Sequence, residues 1–266
     1  MYMNVDGKKY WVEEEGTGEP LVLFHGFTGS TKTWASFISQ WSKNFQVINL
    51  DLPGHGKTIV QEPFSMESVC DDLDQVLKKL GLKKVHLLGY SMGGRTALSF
   101  ARFYPENINT LILESASPGL KTQEEQEKRQ NRDEQLAKKV ETEGLASFVD
   151  YWSAIPLFET QKSLPKRVQN QLKQERLSHE PKGLAASLRY MGTGTQPSWW
   201  KELREVHAQT LLLTGALDAK FTSINHEMQE RLPNAQHQII KDAGHTIHVE
   251  RPRIFGKIVS DFILHK

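Results

Sequence analysis

The sequence holds one cysteine, Cys70, in 266 residues. A single thiol excludes an internal disulfide and any metal site built from several cysteines. Cys70 stands in the run Met66, Val69, Cys70, Leu73, Val76, Leu77, whose helical spacing predicts a buried apolar filler. The chain also lacks an excess of either charge: 33 Lys and Arg stand against 32 Asp and Glu, a net of +1. That balance argues against a nucleic-acid binder that neutralises phosphates, and leaves room for a local basic pocket. No apolar stretch approaches the roughly 18 residues of a spanning helix. The opening residues, MYMNVDGKKYWVEEE, contain no apolar core of a secretory signal. A soluble cytoplasmic monomer is expected, with no membrane span and no nucleic-acid partner. With 38% hydrophobic and 24% charged residues, the chain reads as an ordinary globule with a substantial core.

Short apolar runs alternate with helical patterns and no internal repeat is visible. Strands are predicted at residues 21–24, 45–50, 85–88, 110–113, 210–213 and 236–240. Helices are predicted at 33–41, at 65–80 with Ser65 as cap and Gly81 as stop, and at 92–103, 223–232 and 250–264. Between 118 and 200 the texture changes. That stretch offers no convincing strand, only helix candidates at 121–142, 145–152, 166–177 and 183–191. Strand–helix alternation implies an α/β fold with a mostly parallel sheet covered on both faces. The expected organisation is a core of 1–117 and 201–266 carrying a helical lid, 118–200.

Gly89-Tyr-Ser-Met-Gly93 fits G-x-S-x-G directly after a predicted strand and before a predicted helix. In that context the glycines permit a strained turn that presents the Ser91 hydroxyl. A serine needs a base, and the base needs an orienting acid. His245 follows the last strand through a short loop, and Asp218 follows the 210–213 strand. Asp242 and Glu114 are rival acids. Asp242 is only three residues from His245, and Glu114 sits earlier in the chain at a strand end. His25-Gly-Phe27 follows the first predicted strand, so the N–H groups of Phe27 and Met92 are candidates for an oxyanion hole. His25, Asp51 and His55 read as structural residues of their loops. Taken together, HGF, DLPGHG, GYSMGG, GALD and AGH resemble the α/β-hydrolase superfamily across the chain outside 118–200. That set is specific for the fold and poorly specific for the reaction.

Arg95 narrows the chemistry. It lies one turn into the helix after Ser91, where an unpaired buried guanidinium is costly. It must meet a protein carboxylate or face the cleft. Ser91-Met-Gly-Gly-Arg95, Arg129-x-x-x-Asp133-x-x-x-Ala137, Trp152-x-x-x-Pro156-x-Phe158, Asp218-x-Lys220-Phe221 and Gly244-His-x-x-His248-x-Glu250 are together similar to one family. It is 2-succinyl-6-hydroxy-2,4-cyclohexadiene-1-carboxylate synthase, of menaquinone biosynthesis. The resemblance implies a pyruvate-eliminating lyase acting on a small polycarboxylate. It implies Arg95, Arg129 and Arg176 as anion-binding residues, with Tyr90, Trp152 and Lys220 in the pocket. Two alternatives stand beside it: a serine hydrolase of esters or carbon–carbon bonds, and a ligand-binding module that has lost catalysis. The resemblance gives His248 and Glu250 no role. Trp199 and Trp200 read as lid-to-core packing or as pocket lining. His86, His179, His207, His226, His237 and His265 show no metal-ligand spacing, so neither metal nor cofactor is expected.

Overall fold

Strand side chains alternate between two apolar layers, as a period of two demands. Val22, Phe24, Ile48, Leu50, Leu87, Leu111 and Leu113 face one layer. Leu21, Leu23, Val47, Leu88, Ile112, Leu211 and Leu213 face the other. A sheet apolar on both sides must be covered on both sides. The computed structural model, which describes residues 1–61 and 63–265, builds that arrangement from eight strands. They are β1 (Tyr2–Val5), β2 (Lys8–Glu15), β3 (Glu19–Phe24), β4 (Phe45–Leu50), β5 (Val85–Tyr90), β6 (Ile108–Glu114), β7 (Gln209–Gly215) and β8 (Ala235–Ile240). Their spatial order is β1-β2-β4-β3-β5-β6-β7-β8. All neighbours from β4 to β8 pair in parallel, and β1–β2 and β2–β4 are antiparallel.

The first two strands correct the sequence reading, which begins its strands at residue 21. Charged residues in KKYWVEEE mask the alternation that buries Tyr10 and Val12. The cue was Asp6-Gly7, whose φ of 46° and 81° suits the two-residue turn of a hairpin.

One face carries α2 (Met66–Lys79), α3 (Met92–Phe103) and α8 (Ala219–Arg231). The other carries α1 (Ala35–Trp41) and α10 (Pro252–Leu264). Ser65 caps α2, its hydroxyl accepting from Ser68 N–H at 3.2 Å. Gly81, at φ 73°, ends that helix. Cys70 is fully buried among the apolar side chains of this layer. The predicted helix at 33–41 is a 3₁₀ turn, Thr31–Trp34, followed by α1. The predicted helix at 250–264 is two, a single turn α9 (Ile247–Glu250) and then α10, which Pro252 opens.

Between β6 and β7 the chain adds no strand to the sheet. It forms α4 (Gln123–Thr142), α5 (Gly144–Ala154), a 3₁₀ stretch (Pro156–Ser163), α6 (Lys166–Arg176) and α7 (Pro181–Met191). Leu136, Val140, Phe148, Val149, Leu184 and Leu188 give these helices a separate apolar cluster. Trp199 and Trp200 pack into the main core, where their indole N–H groups donate to Ser99 Oγ (2.8 Å) and Gly119 O (2.9 Å). No helix of the described residues is long and apolar enough to cross a membrane.

Candidate active site

Tyr90 ends β5, and Ser91 takes φ 50° and ψ −104° before α3 begins. Such a conformation costs a non-glycine residue on the order of 1–3 kcal/mol and persists only where neighbours impose it. Here Ser91 N–H donates to Glu114 O at 2.8 Å, and Ser91 O accepts from Arg95 N–H at 3.0 Å. The flanking glycines supply room rather than the bend. A Cβ on Gly89 would sit 2.3 Å from Gly93 O, and one on Gly93 would sit 2.2 Å from Phe24 O. The strain therefore falls on the serine, and its hydroxyl is thrust above the sheet.

His245 Nε2 lies 3.1 Å from Ser91 Oγ, and His245 Nδ1 lies 2.7 Å from Asp218 Oδ2. A carboxylate only accepts, so Nδ1 carries the proton and Nε2 is left to accept from the serine hydroxyl. Asp218 also caps α8, its Oδ1 accepting from Phe221 N–H at 3.3 Å. Both rival acids are committed elsewhere. Glu114 is fully buried and accepts from His248 Nδ1 at 2.8 Å, and Asp242 is exposed, 3.6 Å from Arg251.

The His245 loop is held by a residue the spacing did not reveal. Glu250 accepts from Gly244 N–H (2.7 Å), Thr246 Oγ1 (2.8 Å) and Thr160 Oγ1 (3.1 Å). The turn of α9 returns this carboxylate beneath the loop, a role that the family-like motif ending on Glu250 did not reveal. His248 has a partner role of its own: paired with Glu114, it packs against the Tyr90 ring at 4.6 Å between centroids.

The HGF loop is fixed by neutral histidines. His25 Nε2 accepts from Leu52 N–H at 2.9 Å, so Nδ1 bears the hydrogen and donates to Gly26 O at 2.8 Å. Burial lowers the His25 pKa to about 4. His55 Nε2 accepts from Thr28 N–H at 3.2 Å. Asp51 accepts from the N–H groups of Thr31 (2.7 Å) and Lys57 (2.8 Å). Two residues of the helical segment reach in as well. His179 donates from Nε2 to Thr28 O at 2.9 Å, and Glu175 accepts from Ser30 N–H and Thr33 Oγ1, each at 3.0 Å. Phe27 stands edge-on to Trp152 at 5.2 Å and to Phe148 at 6.2 Å, which joins the loop to α5. Met92 N–H opens α3 and, as the first amide of a helix, has no intrahelical acceptor. The buried Trp152 Nε1 has no partner among the described residues.

The cations fall into two sets. Arg95 is buried, and Nη1 donates to Met191 O at 2.9 Å and to Gln196 Oε1. Burial, with Arg129 nearby, lowers its pKa to about 9. Arg129 is half-buried and bonded to Asp133 at 2.8 Å. Lys220 belongs to the same neighbourhood; burial and then Arg129 lower its pKa. Arg176 stands apart on the Tyr90 side. It donates to Ser153 Oγ (2.7 Å) and Gln161 Oε1 (3.1 Å) and lies 4.9 Å over the Phe158 ring. It lines a cavity of about 1100 Å³ whose walls include Phe27, Tyr90, Phe158, Gln161 and His248. Ser91, Arg95, Arg129, Trp152 and Lys220 do not line that cavity. Arg176 and Arg95 thus have separate hydrogen-bond partners, Ser153 and Gln161 for the one and Met191 and Gln196 for the other.

The sequence profile of the α/β hydrolase fold matches residues 19–252. A Bacillus subtilis (strain 168) protein, provisionally named 2-succinyl-6-hydroxy-2,4-cyclohexadiene-1-carboxylate synthase, is 44% identical over 263 residues. The match covers 97% of this chain and 96% of that protein. The chain belongs to this synthase family of α/β hydrolases. The structure of S. aureus MenH matches with a TM-score of 0.92 at 38% identity, covering 96% of this chain and 98% of that one. A malate-bound esterase of Thermogutta terrifontis matches with a TM-score of 0.87 at 29% identity, covering 99% of this chain and 96% of that one. Membership of the synthase family therefore comes with a frame that esterases share.

Proposed function

We propose that this member of the synthase family is a carbon–oxygen lyase. It converts 2-succinyl-5-enolpyruvyl-6-hydroxy-3-cyclohexene-1-carboxylate into 2-succinyl-6-hydroxy-2,4-cyclohexadiene-1-carboxylate and pyruvate. The observation that carries this reading is Arg95: a buried guanidinium one turn from Ser91, bonded among the described residues only to neutral oxygens. The substrate has three carboxylates, and planar guanidinium groups bind carboxylates strongly while staying charged.

The relay supplies the base. As Ser91 Oγ takes the ring proton beside the succinyl ketone, its own proton passes to His245 Nε2, and Asp218 stabilises the resulting imidazolium. The C2–H bond breaks and C2=C3 forms. The C3=C4 pair moves to C4=C5, and the C5–oxygen bond breaks. The departing enolate of pyruvate takes a proton from water on its methylene carbon, and His245 returns its proton to solvent, which restores the neutral base. Charge that builds on the ketone oxygen is met by Phe27 and Met92 N–H. No acyl-enzyme forms. Residues 118–200 act as a lid that excludes water, with Arg129 and Arg176 on it and Trp152 against Phe27. Arg129, Arg176, Tyr90, Trp152 and Lys220 complete the anion-binding pocket.

A coupled assay for pyruvate released from the enolpyruvyl substrate tests the reading. Turnover above background is expected. The second reading, an esterase, draws on the 29% identical Thermogutta esterase. It prevails if no pyruvate is formed while p-nitrophenyl esters turn over quickly.

A further inference from the structure

Arg95 and Arg129 are neighbours with different partners. The half-buried Arg129 has a carboxylate, Asp133, at 2.8 Å. The buried Arg95 has two neutral acceptors, Met191 O at 2.9 Å and Gln196 Oε1, and both act on Nη1. Asp133 could have served both arginines, yet its Oδ2 is buried without a partner among the described residues. Gly192 stands at that oxygen, where a Cβ would come within 2.5 Å. Among the described residues the acid thus hydrogen-bonds the outer cation and acts on the inner one through space alone.

Gln196 is built into this position. It is 1% exposed. Its backbone N–H donates to Gly192 O at 3.1 Å. Its side-chain Nε2 faces Pro197 O at 3.4 Å, so Oε1 is the end turned to the guanidinium. The strand of chain that carries it is pinned on its far side. Trp199 N–H donates to Pro118 O at 2.7 Å, Trp199 Nε1 to Ser99 Oγ, and Trp200 Nε1 to Gly119 O. Gly119 closes the space beside the amide, where a Cβ would sit 3.1 Å from Gln196 Nε2.

We infer that Gln196 is a positioning and specificity-determining residue: it fixes the Arg95 guanidinium through Nη1 without neutralising it. Nε and Nη2, with no hydrogen-bond partner among the described residues, are then left to take a substrate carboxylate side-on. A carboxylate at position 196 would be an equally good acceptor in shape. It would also cancel the charge and compete with the incoming anion. An amide separates the two tasks, because it orients a cation while leaving its charge available. The ligand class is a carboxylate next to the reacting carbon. This inference rests on the reading of Arg95 as an anion contact.

The test uses the full chain as wild type, Gln196→Glu and Gln196→Met. Citrate serves as the tricarboxylate probe. The measured quantity is the citrate concentration that halves labelling of Ser91 by an uncharged fluorophosphonate, each protein relative to its own rate without citrate. Gln196→Glu should need at least about tenfold more citrate than wild type, and Gln196→Met about two- to threefold more, because only the former neutralises the Arg95 charge that the probe must meet. KM for the enolpyruvyl substrate should rise in the same order, with kcat changed far less. The inference is overturned if citrate fails to protect wild type, if Gln196→Glu matches wild type, or if both variants lose equally. If Gln196→Glu does not melt cooperatively, Gln196→Met decides alone, and an unchanged citrate requirement overturns it. Pyruvate release by wild type is scored separately. Its absence would remove the lyase reading, and the citrate ranking would still judge Gln196.

Discussion

The Glu250 carboxylate accepts a hydrogen bond from Gly244 N–H at 2.7 Å, one residue before the histidine that meets Ser91. The His245 imidazole is therefore aimed by two acids, Asp218 on its ring and Glu250 beneath its backbone. Glu250→Gln would turn an amide N–H₂ toward donors that need an acceptor. We expect kcat to fall about tenfold, with KM nearly unchanged, since a small misplacement of a base is costly. Steady-state kinetics check this, and an unaltered kcat would show that the loop holds itself.

Ser91→Ala removes the proton acceptor in the proposed elimination. Pyruvate release should drop by at least about a thousandfold, in keeping with the loss of a relay member. Turnover at the wild-type rate would take the serine out of the mechanism.

Arg95→Ala should discriminate between ligands. One charge-assisted hydrogen bond contributes roughly 1.5–3 kcal/mol. The kcat/KM for the polycarboxylate substrate should therefore fall by about ten- to a hundredfold, while an uncharged ester loses little. Equal losses on both would mean that the residue serves packing alone.

The buried histidines of the HGF loop set an acid limit on stability. His25 and His179 have folded pKa values lowered from 6.5 to about 4, chiefly by burial. The unfolded chain therefore binds more protons between pH 4 and 6.5, and stability falls as pH is lowered through that window. Each site contributes at most about 3 kcal/mol to the loss. Asp51 and Glu175, whose pKa values burial raises, work in the opposite direction and offset part of it. Melting curves should show Tm falling from pH 7 to pH 5, less steeply in His25→Asn. A flat profile in the wild type would contradict the neutral assignment.

Glu175 tests whether the helical segment steadies the HGF loop. Its carboxylate accepts from Ser30 Oγ at 2.9 Å and from Ser30 N–H and Thr33 Oγ1 at 3.0 Å. Glu175→Ala should lower Tm and slow hydrogen exchange protection should be lost at residues 28–33. Unchanged exchange there would mean that the loop is rigid without α6.

Much of the fold was legible because local rules reach far. Alternation in 21–24 or 110–113 names both layers of the sheet, and Ser65 and Gly81 mark the ends of α2 by their own backbone chemistry. The N-terminal hairpin was masked, since its outward residues carry charge and its edge position leaves only Val5, Tyr10 and Val12 to bury deeply. The chain order Ser91, Asp218, His245 was equally visible, because each follows a strand of a parallel sheet and so emerges on one edge.

By itself, then, the sequence determined the α/β frame, the strained serine turn and the residue types available for proton transfer and anion binding. These depend on backbone propensity and on spacings of a few residues. Only the tertiary structure decided which carboxylate meets which cation or ring. It gave Asp218 to His245 and Glu114 to His248, and it seated Arg176 on Ser153 and Gln161 but Arg95 on Met191 and Gln196. It also placed Gln196, about a hundred residues away in sequence, against Arg95. Charge attracts without regard to sequence distance, so partner choice among buried polar groups follows from packing, which no local pattern encodes.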